Sequence, residues 1–216
     1  MSDWIAADWP APEGIVAGTT LRNYAGGELP LAGQPCWLDQ VHGAEVVTAG
    51  SFETPPSADA SISGAAEYVC AIRTADCLPV LMCSIDGRVF AAAHAGWRGL
   101  AAGVIENTIA RLDADPSELL VWLGPAISQA AFEVGEEVKE AFLGVDPGAG
   151  VCFERNDRGR WQADLYALAR RRLERAGVSK IYGGEFCTYS DSDRFYSYRR
   201  NAECGRLLSF VGRSTP

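Results

Sequence analysis

Histidine is the scarce and informative residue in this sequence, since only His42 and His94 occur. Each sits in a short segment with glycine: Gln40-Val41-His42-Gly43 and Ala93-His94-Ala95-Gly96-Trp97-Arg98-Gly99. Between them lies Arg73-Thr74-Ala75-Asp76-Cys77-Leu78-Pro79. Two imidazoles and one thiolate form a soft-to-borderline donor set that suits Zn²⁺, and copper accepts the same donors. Three protein ligands leave a fourth tetrahedral position open, the pattern of a catalytic zinc, and such a metal lowers the pKa of its water to about 7. The spacings of 35 and 17 residues match no local zinc motif, so any such site depends on the fold. Each residue alone also has a plain structural reading, the histidine as a satisfied polar group and the cysteine as a core filler. A Cys77 nucleophile with a histidine base, the pairing of a cysteine hydrolase, uses the same residues.

Neighbouring polar residues extend the chemistry. Asp76 could orient a ligand or serve as acid or base, or it could simply cap the turn before Cys77. Arg73 and Arg98 suit bidentate phosphate binding; their alternative is a surface ion pair worth at most about 1 kcal/mol. Gly96, Gly99 and Gly103 would let the backbone approach closely at a helix start, where an anion is favoured. No Gly-Lys-Ser/Thr follows, which excludes a Walker loop. Residues 187–200 are dense in aromatic, hydroxyl and basic side chains, including Tyr198 and Arg199. Rings there could stack on a base and arginines could hold phosphate. The competing reading is a loop leading into a half-buried strand with Phe195, Ser197 and Arg199 alternating.

These residues need elements to hold them. Apolar runs bounded by turn signals predict strands over 45–48, 68–73, 79–84, 89–94, 119–123 and 207–211. Residues 80–83 are apolar throughout, which suits a strand covered on both faces. His42 then precedes a strand, Cys77 lies in a turn between two strands, and His94 ends a strand and precedes a helix. Ends of neighbouring strands are where distant side chains can converge. Leu100, Val104, Ile105, Thr108, Ile109 and Leu112 predict one face of that helix. A weaker helix is expected over 135–143. A third begins at Asp164, buries Leu165, Leu168, Ala169, Leu173 and Ala176, and ends at Gly177. Its Arg170-Arg171-Arg172 run is expected on a solvated face near the helix C-terminus. Residues 1–35, rich in Gly, Pro and Ala, are expected to be mostly irregular with one or two short strands.

The expected architecture is α/β, a single domain of residues 1–216 with mixed sheet strands and flanking helices. A chain of 216 residues suits one domain of that size. Its net charge of −9 argues against nucleic-acid and anionic-membrane partners. A small anionic substrate remains compatible if a few arginines share one pocket. No targeting segment or membrane span is visible. Seven cysteines, an odd number without regular spacing, make a poor disulfide framework and point to a reducing cytoplasm. Cys70 and Cys83 lie in strand-like runs as small hydrophobes.

The strings QVHGAEV, SADASIS, RTADCLPVLM, AAAHAGWRGLAAGV, WLGPAISQAAFEVGEEV and DSDRFYSYRR closely resemble the laccase-domain family. Its members were once labelled polyphenol oxidases and are now described as purine nucleoside phosphorylases. The resemblance runs from about residue 35 to the C-terminus. It implies one α/β domain with zinc on His42, Cys77 and His94. It also implies phosphorolysis of adenosine, inosine, guanosine and S-methyl-5′-thioadenosine, and deamination of adenosine. Some bacterial relatives are linked to peptidoglycan precursor editing. Two departures stand out. Residues 15–35 lack the SLNLG-like stretch and NR pair that such proteins usually carry, so 1–35 reads as a shortened, divergent segment. Where they often read DGxTGR, this chain has Asn201-Ala202-Glu203-Cys204-Gly205-Arg206.

Taken together, Arg73, Asp76 and Cys77 read as catalytic, and Gln40, Arg98 and Arg199 as substrate- or phosphate-binding. The expected partners are purine nucleosides and phosphate, on a monomer or small homo-oligomer. The alternatives are a copper-dependent polyphenol oxidase, and a cysteine hydrolase or peptidoglycan precursor editing enzyme. Two histidines are few for a multicopper site.

Overall fold

A computed structural model describes residues 3–215. In chain order the elements are β1 (Trp4–Ala6), β2 (Ile15–Thr20), β3 (Gln34–Cys36), β4 (Val46–Thr48), β5 (Ala60–Ser63), β6 (Tyr68–Thr74), β7 (Leu78–Ser84) and β8 (Phe90–Ala95). Helices α1 (Trp97–Ala102) and α2 (Val104–Arg111) follow, then β9 (Leu119–Leu123), β10 (Glu133–Val134), α3 (Glu136–Leu143), β11 (Phe153–Arg155) and β12 (Trp161–Ala163). The chain closes with α4 (Leu165–Arg175), β13 (Lys180–Gly183) and β14 (Leu207–Arg213).

Period-2 side-chain alternation explains the layering. A mixed sheet of six strands, ordered β13-β9-β7-β8-β5-β4, lies in the middle. From β7, Leu81 and Cys83 pack one way, with Cys70, Ile72 and Val211 of a second sheet ordered β1-β2-β14-β6-β3. Val80 and Met82 point the other way, into a core with Leu100, Ile105, Leu168 and Leu173 of the helices. Every residue of β7 is buried, as its unbroken apolar run requires. The result is the α/β arrangement expected, with both parallel and antiparallel pairs in the central sheet. Burial pushes the Cys70 and Cys83 thiols up to about 12, in keeping with inert core residues. No helix of the described residues is long and apolar enough to cross a membrane.

Two sequence expectations are corrected. The first helix is broken at Gly103, which adopts φ 95, so α1 and α2 are separate pieces. Their apolar face is buried as predicted. The Arg170-Arg171-Arg172 run is not a solvated face. Arg172 is buried, pairs with Glu106, and donates from Nη2 to the carbonyls of Leu100 and Ala101 at 2.9 and 3.0 Å. The break at Gly103 ends the α1 ladder, leaving the Leu100 carbonyl with only the Gly103 N–H at 3.2 Å, and such helix-end acceptors draw a further donor. Arg171 pairs with Asp146, and Arg170 donates to Ile181 and Gly183 carbonyls.

Candidate metal centre

Strand register brings the three candidate ligands to one end of the central sheet. In the β7/β8 pair, Pro79 faces His94 and Leu78 faces Ala95, so Cys77 falls across from Gly96. In the β5/β8 pair, Ala60 faces Ala93, which sets Asp59 beside His94. The Asp59 carbonyl accepts the His94 main-chain N–H at 2.7 Å, and its Oδ1 lies 2.7 Å from His94 Nδ1. With Nδ1 turned to a carboxylate, Nε2 is left for a metal. His42 arrives from the loop between β3 and β4 with φ 60, a left-handed conformation uncommon outside glycine. That bend turns the N–H groups of Val41, His42 and Gly43 onto the same Asp59 carboxylate, at 3.2, 3.0 and 2.6 Å. One fully buried carboxylate therefore orders both histidine segments. Gln40 ties in the third: its Nε2 donates to the Arg73 carbonyl at 2.9 Å and its Oε1 accepts the Arg73 N–H at 2.8 Å.

The ligand atoms of His42, Cys77 and His94 lie within 4.8 Å of one another, with the two imidazoles edge to face. Tetrahedral N and S ligands at zinc bond lengths sit about 3.5 Å apart, a small closure away. The glycines provide the room. A Cβ on Gly96 would lie 2.9 Å from Cys77 Sγ and 3.3 Å from the His42 ring. One on Gly99 would lie 2.7 Å from the Gly43 carbonyl.

The cluster's electrostatics prepare it for a cation. Burial works to raise the Cys77 thiol, but hydrogen bonds and charge from His42 and His94 outweigh it and bring it to about 6. Burial works against a charged His94, yet Asp59 and Cys77 hold its pKa up at about 9. Asp59 itself, despite burial, is kept below the ordinary carboxylate range by His94 and by the N–H groups of Gly43 and His42. At neutral pH the metal-free site is thus a thiolate beside an imidazolium. A metal takes thiolate and neutral imidazole, so its binding must release protons. Between pH 6 and 9 one proton leaves His94, and metal affinity is expected to rise about tenfold per pH unit. Below about pH 6 the thiol is also protonated and the slope steepens; above about 9 the His94 contribution fades. Calorimetric titration in buffers of different ionisation enthalpy counts the protons. No release at pH 7.5 would refute this ionisation state.

The cluster forms one wall of a cavity of about 890 Å³, within the range of small-molecule sites. Arg73, Arg98, Arg199 and Arg206 line it, and so do the apolar faces of Trp97, Ile127 and Phe132. Among the described residues, none of the four arginines forms an ion pair. Aromatic rings support all four: Arg73 stands 5.6 Å over Trp37, Arg98 4.5 Å over Trp97, Arg199 5.7 Å over Phe132 and Arg206 5.9 Å over Tyr198. Asp39 and Asp76 also reach the cavity. Both oxygens of Asp76 are engaged, accepting from Thr188 Oγ1 at 2.6 Å, Ser197 Oγ at 3.0 Å and the Arg199 N–H at 2.7 Å. Residues 188–203 form turns rather than the strand that alternation suggested, because their N–H groups are taken up locally. Phe195 and Ser197 are buried beneath them, and Tyr198 and Arg199 face outward.

All eight candidate site residues of the sequence reading (Gln40, His42, Arg73, Asp76, Cys77, His94, Arg98 and Arg199) thus border one cavity. Sequence reasoning gave no role to Asp59, Arg206, Ile127 or Phe132. Asp59 falls within the SADASIS string, but no strand was expected at 60–63, where β5 lies.

Residues 20–214 match the family described as multi-copper polyphenol oxidoreductase laccase. The chain belongs to this family. A relative named purine nucleoside phosphorylase YfiH, from Escherichia coli (strain K12), is 43% identical over 98% of this chain and 99% of that protein. The relative named purine nucleoside phosphorylase PA4543, from Pseudomonas aeruginosa, is 45% identical over 98% of each. Among solved structures, the Neisseria meningitidis protein NMB0706 superposes with TM-score 0.94 at 40% identity, covering 99% of this chain and 100% of that one. YlmD from Geobacillus stearothermophilus gives 0.89 at 26% identity, covering 99% and 97%. The family resemblance carried by the motifs is borne out along essentially the whole chain.

Proposed function

We propose that this member of the laccase family is a zinc-dependent purine nucleoside phosphorylase, acting on adenosine, inosine, guanosine and S-methyl-5′-thioadenosine, and also deaminating adenosine. One observation carries the proposal: the His42–Cys77–His94 cluster shares its cavity with four guanidiniums that have no carboxylate partner among the described residues. The names of the Escherichia coli and Pseudomonas relatives support it.

The donor set fits zinc, with a low-pKa thiol and two imidazoles, one oriented by a buried carboxylate. When bound, zinc supplies Lewis acidity and a water of lowered pKa. The chain's own residues account for the rest. Arg73 and Arg98 hold phosphate, their planes braced on Trp37 and Trp97 and their edges free for oxygen. They offset charge as a phosphate oxygen bonds to C1′ of the ribose and the bond from C1′ to the base breaks. Trp97, Ile127 and Phe132 offer the base an apolar seat. Gln40 fixes the Arg73 backbone and so the place of its guanidinium. All seven cysteines are unpaired, which suits the cytoplasm.

Copper in the family's description does not change the assignment. Two histidines, both in one cluster, cannot serve several copper ions. A second reading has an observation of its own: a thiol at about 6 beside an imidazolium is also the resting state of a cysteine nucleophile.

Metal analysis beside a product assay on adenosine separates these readings. We expect equimolar zinc, adenine and ribose 1-phosphate only when phosphate is present, and inosine with or without it. Phenol-dependent oxygen uptake that tracks copper content would replace the proposal with an oxidase. Turnover that survives full chelation, with Cys77 open to labelling by an electrophile, would favour the thiol.

A further inference from the structure

We infer that Asp76 is a positioning residue, which holds Arg199 against the cavity as an anion ligand, rather than a carrier of protons. The inference rests on the reading of the arginine-lined cavity as a phosphate site. Asp76 adopts φ 86, one of two left-handed non-glycine residues among those described. The other is His42, so both unusual backbones lie at the metal centre. From this conformation the carboxylate is bonded into the 188–199 segment.

There it meets three donors from separate points of that segment. Thr188 Oγ1 lies 2.6 Å from Oδ1, and Ser197 Oγ and the Arg199 N–H lie 3.0 and 2.7 Å from Oδ2. Its own carbonyl accepts the Ile127 N–H at 3.0 Å. Residue 76 therefore joins three walls: the turn bearing Cys77, the loop bearing Ile127, and the segment bearing Tyr198 and Arg199. Thr188 and Ser197 are fully buried, and no strand ladder holds this segment. Arg200 staples it internally, donating to the carbonyls of Thr188, Tyr189 and Phe195. Asp76 is what registers the stapled unit against the metal-binding turn.

Asparagine tells positioning from proton transfer. In Asp76→Asn the amide oxygen can accept from Ser197 and Arg199, while the amide nitrogen donates to the Thr188 hydroxyl, so all three contacts survive. No carboxyl proton remains. In Asp76→Ala all three are lost.

The test is calorimetric titration of zinc-loaded protein with inorganic phosphate, which needs no turnover. We expect phosphate affinity to fall at least tenfold in Asp76→Ala and less than threefold in Asp76→Asn. In an Arg199→Ala background, Asp76→Ala should have no further effect, because the two act as one unit. In turnover, the KM for phosphate should follow these affinities while kcat of Asp76→Asn stays near wild type. Additive losses, an Asp76→Asn variant as weak as Asp76→Ala, a collapse of kcat in Asp76→Asn, or no phosphate binding by the wild type would each overturn the assignment. Phosphate binding that obeys the cycle, without phosphate-dependent product, would overturn the phosphorylase reading and leave the role of Asp76 standing.

Discussion

Cys77→Ser is expected to purify as a folded protein without its metal and to lose turnover by about a thousandfold, the rate equivalent of about 4 kcal/mol of Lewis-acid stabilisation. Ionisation of the ligand decides the outcome. The Cys77 thiol, held at about 6 by His42 and His94, is an anion at neutral pH. A serine hydroxyl there stays neutral and offers zinc a poor ligand. Shape changes little, since sulfur is replaced by a smaller atom at a half-buried position. The fold should therefore survive, which makes this variant cleaner than His94→Ala. The latter leaves the buried Asp59 carboxylate without its ring partner, a loss of about 3–5 kcal/mol in stability. Metal content by mass spectrometry, thermal unfolding and the adenosine assay together check the prediction. Wild-type phosphorolysis in metal-free Cys77→Ser would detach the metal from that reaction. A thiol nucleophile would lose activity as well, so chelation of the wild type must accompany the comparison.

The parts of this site that were legible in the sequence are those set by residue type. Two histidines, each beside glycine and near a strand end, with Cys77 in a turn between two strands, made a metal site one reading of the residues, and the family resemblance named the three ligands. What spacing did not carry was the device that brings them together. Asp59 owes its role to the register of β5 against β8 and to the left-handed turn at His42. Both are non-local or conformational, and neither leaves a periodic trace. The Arg170–172 run failed for a related reason. Charge pattern predicts solvation, but Arg172 answers a need created far back in the chain, where Gly103 ends α1 and leaves its last carbonyls short of helical donors. The segment from 188 to 203 alternates like a strand, yet its N–H groups are claimed by Asp191, Ser197 and Asp76. The strands that were found, such as β7 and β9, are those whose apolar run is enforced by burial on both faces.

Asp59→Asn is expected to weaken metal binding by about ten- to a hundredfold, the usual cost of losing an outer-shell partner of a metal-bound histidine. Asp59 accepts four hydrogen bonds through two oxygens: the His94 ring and the main-chain N–H groups of Val41, His42 and Gly43. Asparagine can place its oxygen toward either set but not both. If it keeps His94, its NH₂ group confronts the N–H groups of Val41 and Gly43. Donor then faces donor in a fully buried position, and the His42 loop must move. If it keeps the loop, His94 loses the acceptor that fixes its tautomer and presents Nε2 to the metal. Either way one imidazole is misplaced while all three ligands remain in the chain. The loss should therefore appear in metal affinity first, measured by competition with a chromophoric chelator. Because metal binds only the folded form, the rise in Tm on adding zinc should shrink with it. Metal affinity unchanged in a folded Asp59→Asn protein would show that the two histidines are held without this carboxylate. The organisation of the centre around Asp59 would then be wrong, whatever the metal does in the reaction.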